Sequence, residues 1–354
     1  MSDEYEDESD AERADDVPEQ RAQCWRFSLH IAYIGTGFVG WQRQIETSAC
    51  GKSSVQELVE DVITELLAAP KRINVTSVSR TDAGTHALYQ YGSIRLDAEL
   101  PMPLDKFKAL INVKYIKLRF PDSVVLHEIK VLDASVRPRR IKSLYKKYIY
   151  YIQQGARPDL EQGRFSWFLG RKVDPQRLRD ALKHIVGTHD FRQFSQGLQK
   201  AAFAERSTVR TLLSATVRVR KNVKFALDPT ICGSGEIVDD EFAFFQQQED
   251  DKRSAAASAI PESREQKKRR VDKLSTPVYY ICIELVANGF LRHMVRRILG
   301  TLRPIGEGTY PPLRMKQVLE GEIEPGPSAP SKGLWLHRTW LSQEDWDTDD
   351  SRYD

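Results

Sequence analysis

Cysteine is scarce in this chain: Cys24, Cys50, Cys232 and Cys282 stand far apart, with no Cys-x-x-Cys pair and no histidine at ligand spacing. That argues against a structural zinc site or a disulfide framework and points to a reducing compartment. Long apolar runs are also missing. None approaches the ~20 residues needed to cross a bilayer, and the acidic N-terminus is unlike a secretory signal or a mitochondrial transit peptide. The expectation is a soluble intracellular protein without a membrane partner, its compartment (cytoplasm, nucleus or mitochondrion) left open.

Net charge is low as well, +3 over 354 residues, but the charges are segregated. Residues 1–22 carry ten acidic against two basic side chains and residues 344–354 six against one, so the stretch between them carries +16. A soluble body with that excess is suited to a polyanion, because each phosphate it neutralises releases condensed counterions. Nucleic acid is therefore the first partner to consider.

The sequence divides into four parts. Residues 1–22 are too polar and too charged to repay the entropy of ordering and read as a disordered acidic tail. An N-terminal part, 23–136, opens with a period-two strand, Trp25 to Tyr33, broken by Gly35, Gly37 and Gly40. Ser54 and Glu57 then form a capping box for an amphipathic helix that runs to Pro70. Strands over 74–79 and 88–96 flank the turn residues Arg80 to Thr85, and a weaker helix after Pro103 leads to a strand over 124–132.

The C-terminal part, 137–343, holds strands over 144–152, 212–219, 278–286 and 333–341. It also holds a helix opened by Asp174 and Pro175, and a second over 288–302. Within it, 228–275 reads as a disordered insertion. Residues 344–354 form the second acidic tail. The recurring but not strictly alternating strands and helices indicate an α+β fold with a mostly antiparallel sheet.

Chemistry concentrates in three places. The first is Arg80-Thr81-Asp82-Ala83-Gly84, which by itself is ordinary turn composition. The second is the predicted strand carrying Lys146, Lys147, Tyr148 and Tyr150, where tyrosines beside cations suit the stacking of an unpaired base. The third runs from Phe290 through Arg292, His293 and Arg296 to Arg303, an apolar stripe with a basic face. A metal nuclease or Asp-dependent hydrolase is disfavoured, since no second acidic cluster or ligand spacing accompanies Asp82.

In register, these stretches resemble the TruA-like tRNA pseudouridine synthases. The matching motifs are Gly40-Trp41-Gln42-Arg43-Gln44, Ser54-Val55-Gln56-Glu57, Ser79 through Ala87 and Lys147-Tyr148-Ile149-Tyr150. Gly187 to Phe191, Ala287 to Gly300 and Ala329 to Leu334 complete the set, over nearly all of 25–341. The resemblance implies two ferredoxin-like halves joined into one mostly antiparallel sheet with a central active-site cleft. It implies a homodimer and an enzyme that isomerises uridine to pseudouridine, in the anticodon arm of tRNA, while the chain's own altered basic segments leave other RNAs, messenger RNA among them, open as substrates.

By the same resemblance Asp82 is the catalytic carboxylate and nucleophile, Arg296 its partner, Tyr148 the ring that packs on the target base and Arg80 the arginine of the catalytic loop. Trp41, Arg43, Lys146, Lys147, Phe290, Arg292 and His293 complete the expected RNA-binding set. The isomerisation exchanges no electrons or phosphate, so no cofactor and no metal is expected. The rival reading is a non-catalytic RNA-binding or chaperone protein on the same fold. Two departures bear on substrate choice: Arg137-Pro138-Arg139-Arg140 replaces the family's Phe-x-Ala-Arg pattern, and the segment Asn112 to Pro121 is longer and more basic than usual.

Overall fold

The computed structural model describes residues 24–44, 51–133, 135–136, 141–155, 157–197, 207–243, 246–247 and 278–349. The expected acidic tail at 1–22, the Arg137 to Arg140 departure, most of the expected insertion and the end of the second tail lie outside them. In chain order the strands are β1 (Trp25–Tyr33), β2 (Thr76–Ser77), β3 (His86–Leu96), β4 (Val124–Leu132), β5 (Tyr145–Gln154) and β6 (Trp167–Phe168). They continue as β7 (Gly187–Asp190), β8 (Val209–Lys221), β9 (Glu236–Ile237), β10 (Tyr279–Ala287) and β11 (Leu334–Trp340). The main helices are α1 (Val55–Leu66), α2 (Leu104–Leu110, continued by a π-helical turn Ile111–Ile116 and a short helical end Lys117–Arg119), α3 (Pro175–Leu182), α4 (Met294–Gly306), α5 (Arg314–Leu319) and α6 (Gln343–Asp347).

All strands belong to one sheet whose main path is β4-β1-β3-β11-β5-β10-β8-β7, so the fold is α+β and mostly antiparallel. Strands from the first 136 residues lie together on one side of a seam, and those from later residues on the other. The seam itself is a short parallel pairing, Trp335 opposite His86 and Leu336 opposite Ala87. It brings the start of β3, and the turn that precedes it, beside the second group of strands.

The two faces of the sheet follow the period-two alternation of each strand. Phe27, Leu29, Ile31 and Tyr33 of β1, and Tyr148, Tyr150 and Ile152 of β5, join one large core with the apolar sides of α1, α3 and α4. Helix α1 starts where the sequence indicates: Glu57 N–H donates to Ser54 Oγ, and the Glu57 carboxylate accepts from Ser54 N–H. The opposite face buries Leu88, Ile149, Tyr151, Cys232, Cys282 and Trp335 in a second cluster. β1 is more deeply covered than a half-buried strand, because His30 on its far face stacks on Tyr89 and Tyr91.

Three sequence expectations need correction. The helix expected over 288–302 begins only at Met294, because His293 adopts a left-handed backbone (φ 60°) that no α-helix continues through. Phe290 and Leu291, apolar at helical spacing, pack from a turn instead. The strand expected over 74–79 is reduced to Thr76–Ser77. The start of the expected disordered insertion is folded: Asp228 accepts from Thr230 N–H at 2.9 Å, Ile237 pairs with Arg220, and Val238 and Phe242 enter the main core.

Candidate active site

Asp82 lies on the turn between β2 and β3, and its backbone is fastened from several directions. Thr85 N–H donates to Asp82 O at 3.1 Å, and Trp41 N–H donates to Thr81 O at 3.1 Å. Gly40 forms an antiparallel bridge with Asp82, and the hydroxyls of Thr81 and Tyr33 are 2.7 Å apart. Gly84 closes the turn at φ 77°, where a β-carbon would be strained and would stand 2.6 Å from Ser331 Oγ. A loop held this way presents its carboxylate in one direction with little reorganisation.

The carboxylate is met from across the seam. Arg296, in the first turn of α4, donates from Nη1 to Asp82 Oδ2 at 3.2 Å and from Nε to Ala329 O at 2.7 Å. Ala329 N–H in turn donates to Arg296 O at 2.9 Å. Two acceptors thus fix the plane of the guanidinium, which a lysine ammonium would not reproduce. The side chains of Asp82 and Arg296 remain 25% and 17% exposed, which leaves the pair open to a ligand.

His293 approaches the same oxygen, Nε2 to Oδ2 at 3.6 Å. Burial lowers its pKa below the usual value; the Asp82 charge opposes that shift and Arg296, Arg292 and Arg297 add to it. A neutral ring is therefore favoured near neutral pH. Its Nδ1 is buried and finds no hydrogen-bond partner among the described residues.

Tyr148 forms the aromatic wall. Its ring meets Phe290 edge-on, centroids 5.0 Å apart. Burial raises its phenol pKa, and the nearby Asp82 charge raises it further, so the hydroxyl keeps its proton at neutral pH. Asp82, Arg296 and Tyr148 thus come together although they are distant in sequence, with Phe290 and His293 beside them. Arg80 is exposed on the same loop.

The remaining expected RNA contacts are placed differently. Trp41 is fully buried and stacked on Tyr33, so its indole supports the loop from within instead of facing a ligand. Lys147 points to the opposite sheet face, where its ammonium is 2.9 Å from Glu284 and both side chains are 5% exposed. Arg43 pairs with Glu60 of α1 at 3.2 Å. Arg292 is exposed on the turn before α4. Lys146 is half-buried on the Tyr148 face and donates to Val78 O at 3.1 Å. Arg303, expected to share a basic face with Arg296, pairs with Glu307 at 2.9 Å and lies over the Trp167 ring.

Sequence reasoning assigned no role to the segment Ala329 to Gly333, which matters most to the seam. Besides holding Arg296, it accepts from Tyr150 O–H at Pro330 O (2.8 Å) and from His86 Nε2–H at Lys332 O (3.1 Å). Its appearance among the family motifs was the available signal. The Tyr33 and Thr81 hydroxyl pair was also missed, having no local signature. Among the described residues no group of three or more His, Cys, Asp or Glu side chains is placed to hold a metal ion.

The site is thus a single part-exposed carboxylate, oriented by a guanidinium and set near the paired rings of Tyr148 and Phe290 in an α+β body. Comparisons with known proteins show what such a chain is similar to. A family model described as tRNA pseudouridine synthase matches residues 181–339. The tRNA pseudouridine synthase A of Bacillus subtilis (strain 168) is 25% identical over 313 residues, covering 88% of this chain and 97% of its own length. That of Syntrophotalea carbinolica is 27% identical over 323 residues, 90% of this chain and 96% of the relative. That of a Synechococcus strain is 34% identical over 198 residues, 54% of this chain and 61% of the relative. Over nearly nine-tenths of its length the chain is thus similar to tRNA pseudouridine synthases A.

Proposed function

We propose that the chain isomerises uridine to pseudouridine in tRNA, with Asp82 as the catalytic nucleophile and the anticodon arm as the region modified. The observation that carries this reading is the Asp82 carboxylate held 3.2 Å from Arg296 across the seam. In the reaction the bond between C1′ and N1 breaks, the uracil turns, and C1′ joins C5. The proton on C5 is lost and N1 gains one, so atoms and electrons balance without a redox partner. Asp82 acts by adding to the ribose at C1′ or to the base, and either route needs its carboxylate ionised and directed.

Flipping the uridine out of a paired stem costs a few kcal/mol. Stacking on the Tyr148 ring offsets about 1–3 kcal/mol of that. Arg80, exposed beside Asp82, is positioned to fill the vacated stack or to clamp an adjacent phosphate. The guanidinium of Arg296 complements the carboxylate while the glycosidic bond is broken.

The test uses tRNA carrying 5-tritiated uridine, because every isomerisation releases the label from C5. The wild-type protein is expected to release tritium, and the Asp82→Ala and Asp82→Asn variants to release none while still binding tRNA. Binding without release by the wild type would instead favour the non-catalytic RNA-binding reading. Release by the Asp82 variants would remove Asp82 from the mechanism, and mapping of the product by primer extension locates the modified arm.

A further inference from the structure

We propose that Lys146 and Arg210 form a phosphate-binding subsite at the rim of the cleft, which grips the RNA backbone next to the flipped nucleotide. The proposal rests on the functional reading above and extends it to a residue, Arg210, that no motif singled out.

The two cations come from different strands. Lys146 precedes Tyr148 by two residues on β5 and so shares its face of the sheet. Arg210 lies near the start of β8 and folds back over Gly289, where a β-carbon would stand 3.4 Å from its Nε. Phe290, the next residue, meets the Tyr148 ring edge-on. Gly289 thus lets a guanidinium lie close to the backbone that carries the aromatic wall.

Neither cation has an anionic partner among the described residues. Lys146 donates to Val78 O at 3.1 Å, and Arg210 donates from Nη1 to Ser207 O at 2.8 Å and Val209 O at 2.7 Å. The flanking strands set the uncharged Ala287 and Thr339 opposite Lys146. Burial first, and the Arg210 charge second, push the Lys146 ammonium down to about 8. The Arg210 charge disfavours the Lys146 ammonium with no carboxylate to offset it, and a phosphodiester bound by both cations removes that repulsion. The chemistry also suits the substrate. A base that leaves its stack to meet Tyr148 keeps its flanking phosphates near that ring, and Lys146 lies on the Tyr148 face of β5 and donates to Val78 O, four residues before Asp82.

The experiment measures binding of bulk tRNA to the full chain as a function of salt, independently of turnover. Each phosphate contact contributes about 0.9 to the slope of log affinity against log salt. Lys146→Gln and Arg210→Gln are each expected to lower that slope by about one, to weaken binding roughly eightfold at 0.1 M salt and to converge with the wild type near 1 M. Lys146→Arg and Arg210→Lys keep the charge and should restore the slope. Wild-type binding should weaken as pH rises through about 8, where Lys146 loses its proton, and Lys146→Arg should flatten that dependence. An unchanged slope in both Gln variants would overturn the subsite, as would an equal loss in the charge-conserving variants, which would mark a packing role. Absence of tritium release by the wild type would count against the functional reading alone, since the slope is read without catalysis.

Discussion

Replacing Lys147 by Met separates structure from RNA binding at a position whose neighbour is proposed to touch phosphate. Lys147 and Glu284 are each 5% exposed, and their charged atoms are 2.9 Å apart, so solvent screens the pair little. Removing the ammonium leaves the Glu284 carboxylate buried, with Arg220 as its next cation at 4.0 Å. Breaking such a pair from one side costs about 3–5 kcal/mol, and the residual Arg220 contact places this case near the lower figure. With an unfolding entropy of about 2 cal/mol/K per residue, ~3 kcal/mol in a body of this size lowers Tm by about 5 °C. Calorimetry of Lys147→Met reads that shift directly. Adding Glu284→Leu replaces both charges by apolar groups and should recover most of the loss. The salt slope of tRNA binding should stay at the wild-type value in both variants. A normal Tm combined with a reduced slope would show that Lys147 faces RNA, and the assignment of sheet faces would fail with it.

Further outcomes follow from the same geometry. Tyr148→Phe keeps the ring and should retain base stacking, whereas Tyr148→Leu should lower kcat/KM in the tritium-release assay by about 5- to 150-fold, the equivalent of 1–3 kcal/mol of stacking. Arg296→Lys keeps a positive charge but not the two-acceptor geometry, and a loss of about 10- to 100-fold in kcat is expected from one charge-assisted bond; an unaffected kcat would mean that charge alone suffices. His30 and His86 are buried and pushed down to about 4, so the unfolded chain binds more protons than the folded one between that value and the ordinary 6.5. Their stabilisation is complete above pH 6.5 and falls away as pH drops toward 4, by about 3 kcal/mol for each group. Urea titrations across that range should show the decline, and a flat profile would contradict the neutral burial of both rings.

What the sequence disclosed about this site depended on how local each signal was. The start of α1 was legible because Ser54 and Glu57 satisfy each other within four residues, and the main strands because alternation repeats along each one. The helix boundary at Met294 was not legible. Phe290 and Leu291 have the spacing of a buried helical stripe, and only the left-handed turn at His293 separates them from it. Trp41 illustrates a second limit. A tryptophan next to a glycine is compatible with a surface contact or a buried support, and its packing on Tyr33 decides the matter. The first part of the insertion was hidden by polar composition, although Val238 and Phe242, four residues apart, seat it in the main core and Cys232 in the second cluster.

Lys146 and Lys147 sharpen the same point. Adjacent residues on a strand face opposite ways, so two neighbouring lysines cannot both reach one RNA groove. Alternation alone shows that one of them must turn away, but the choice is made by Glu284 on β10, whose buried carboxylate requires a cation on its own face. The Asp82–Arg296 pair is assembled in a comparable way. Asp82 is set by the turn before β3 and Arg296 by α4; the segment entering β11 holds Arg296 through Ala329 O and His86, at the start of β3, through Lys332 O. β11 is also the strand that joins the two groups in the sheet. The carboxylate and its guanidinium are therefore in register only when the seam has formed, which ties the proposed chemistry to completion of the whole sheet and not to either group of strands alone.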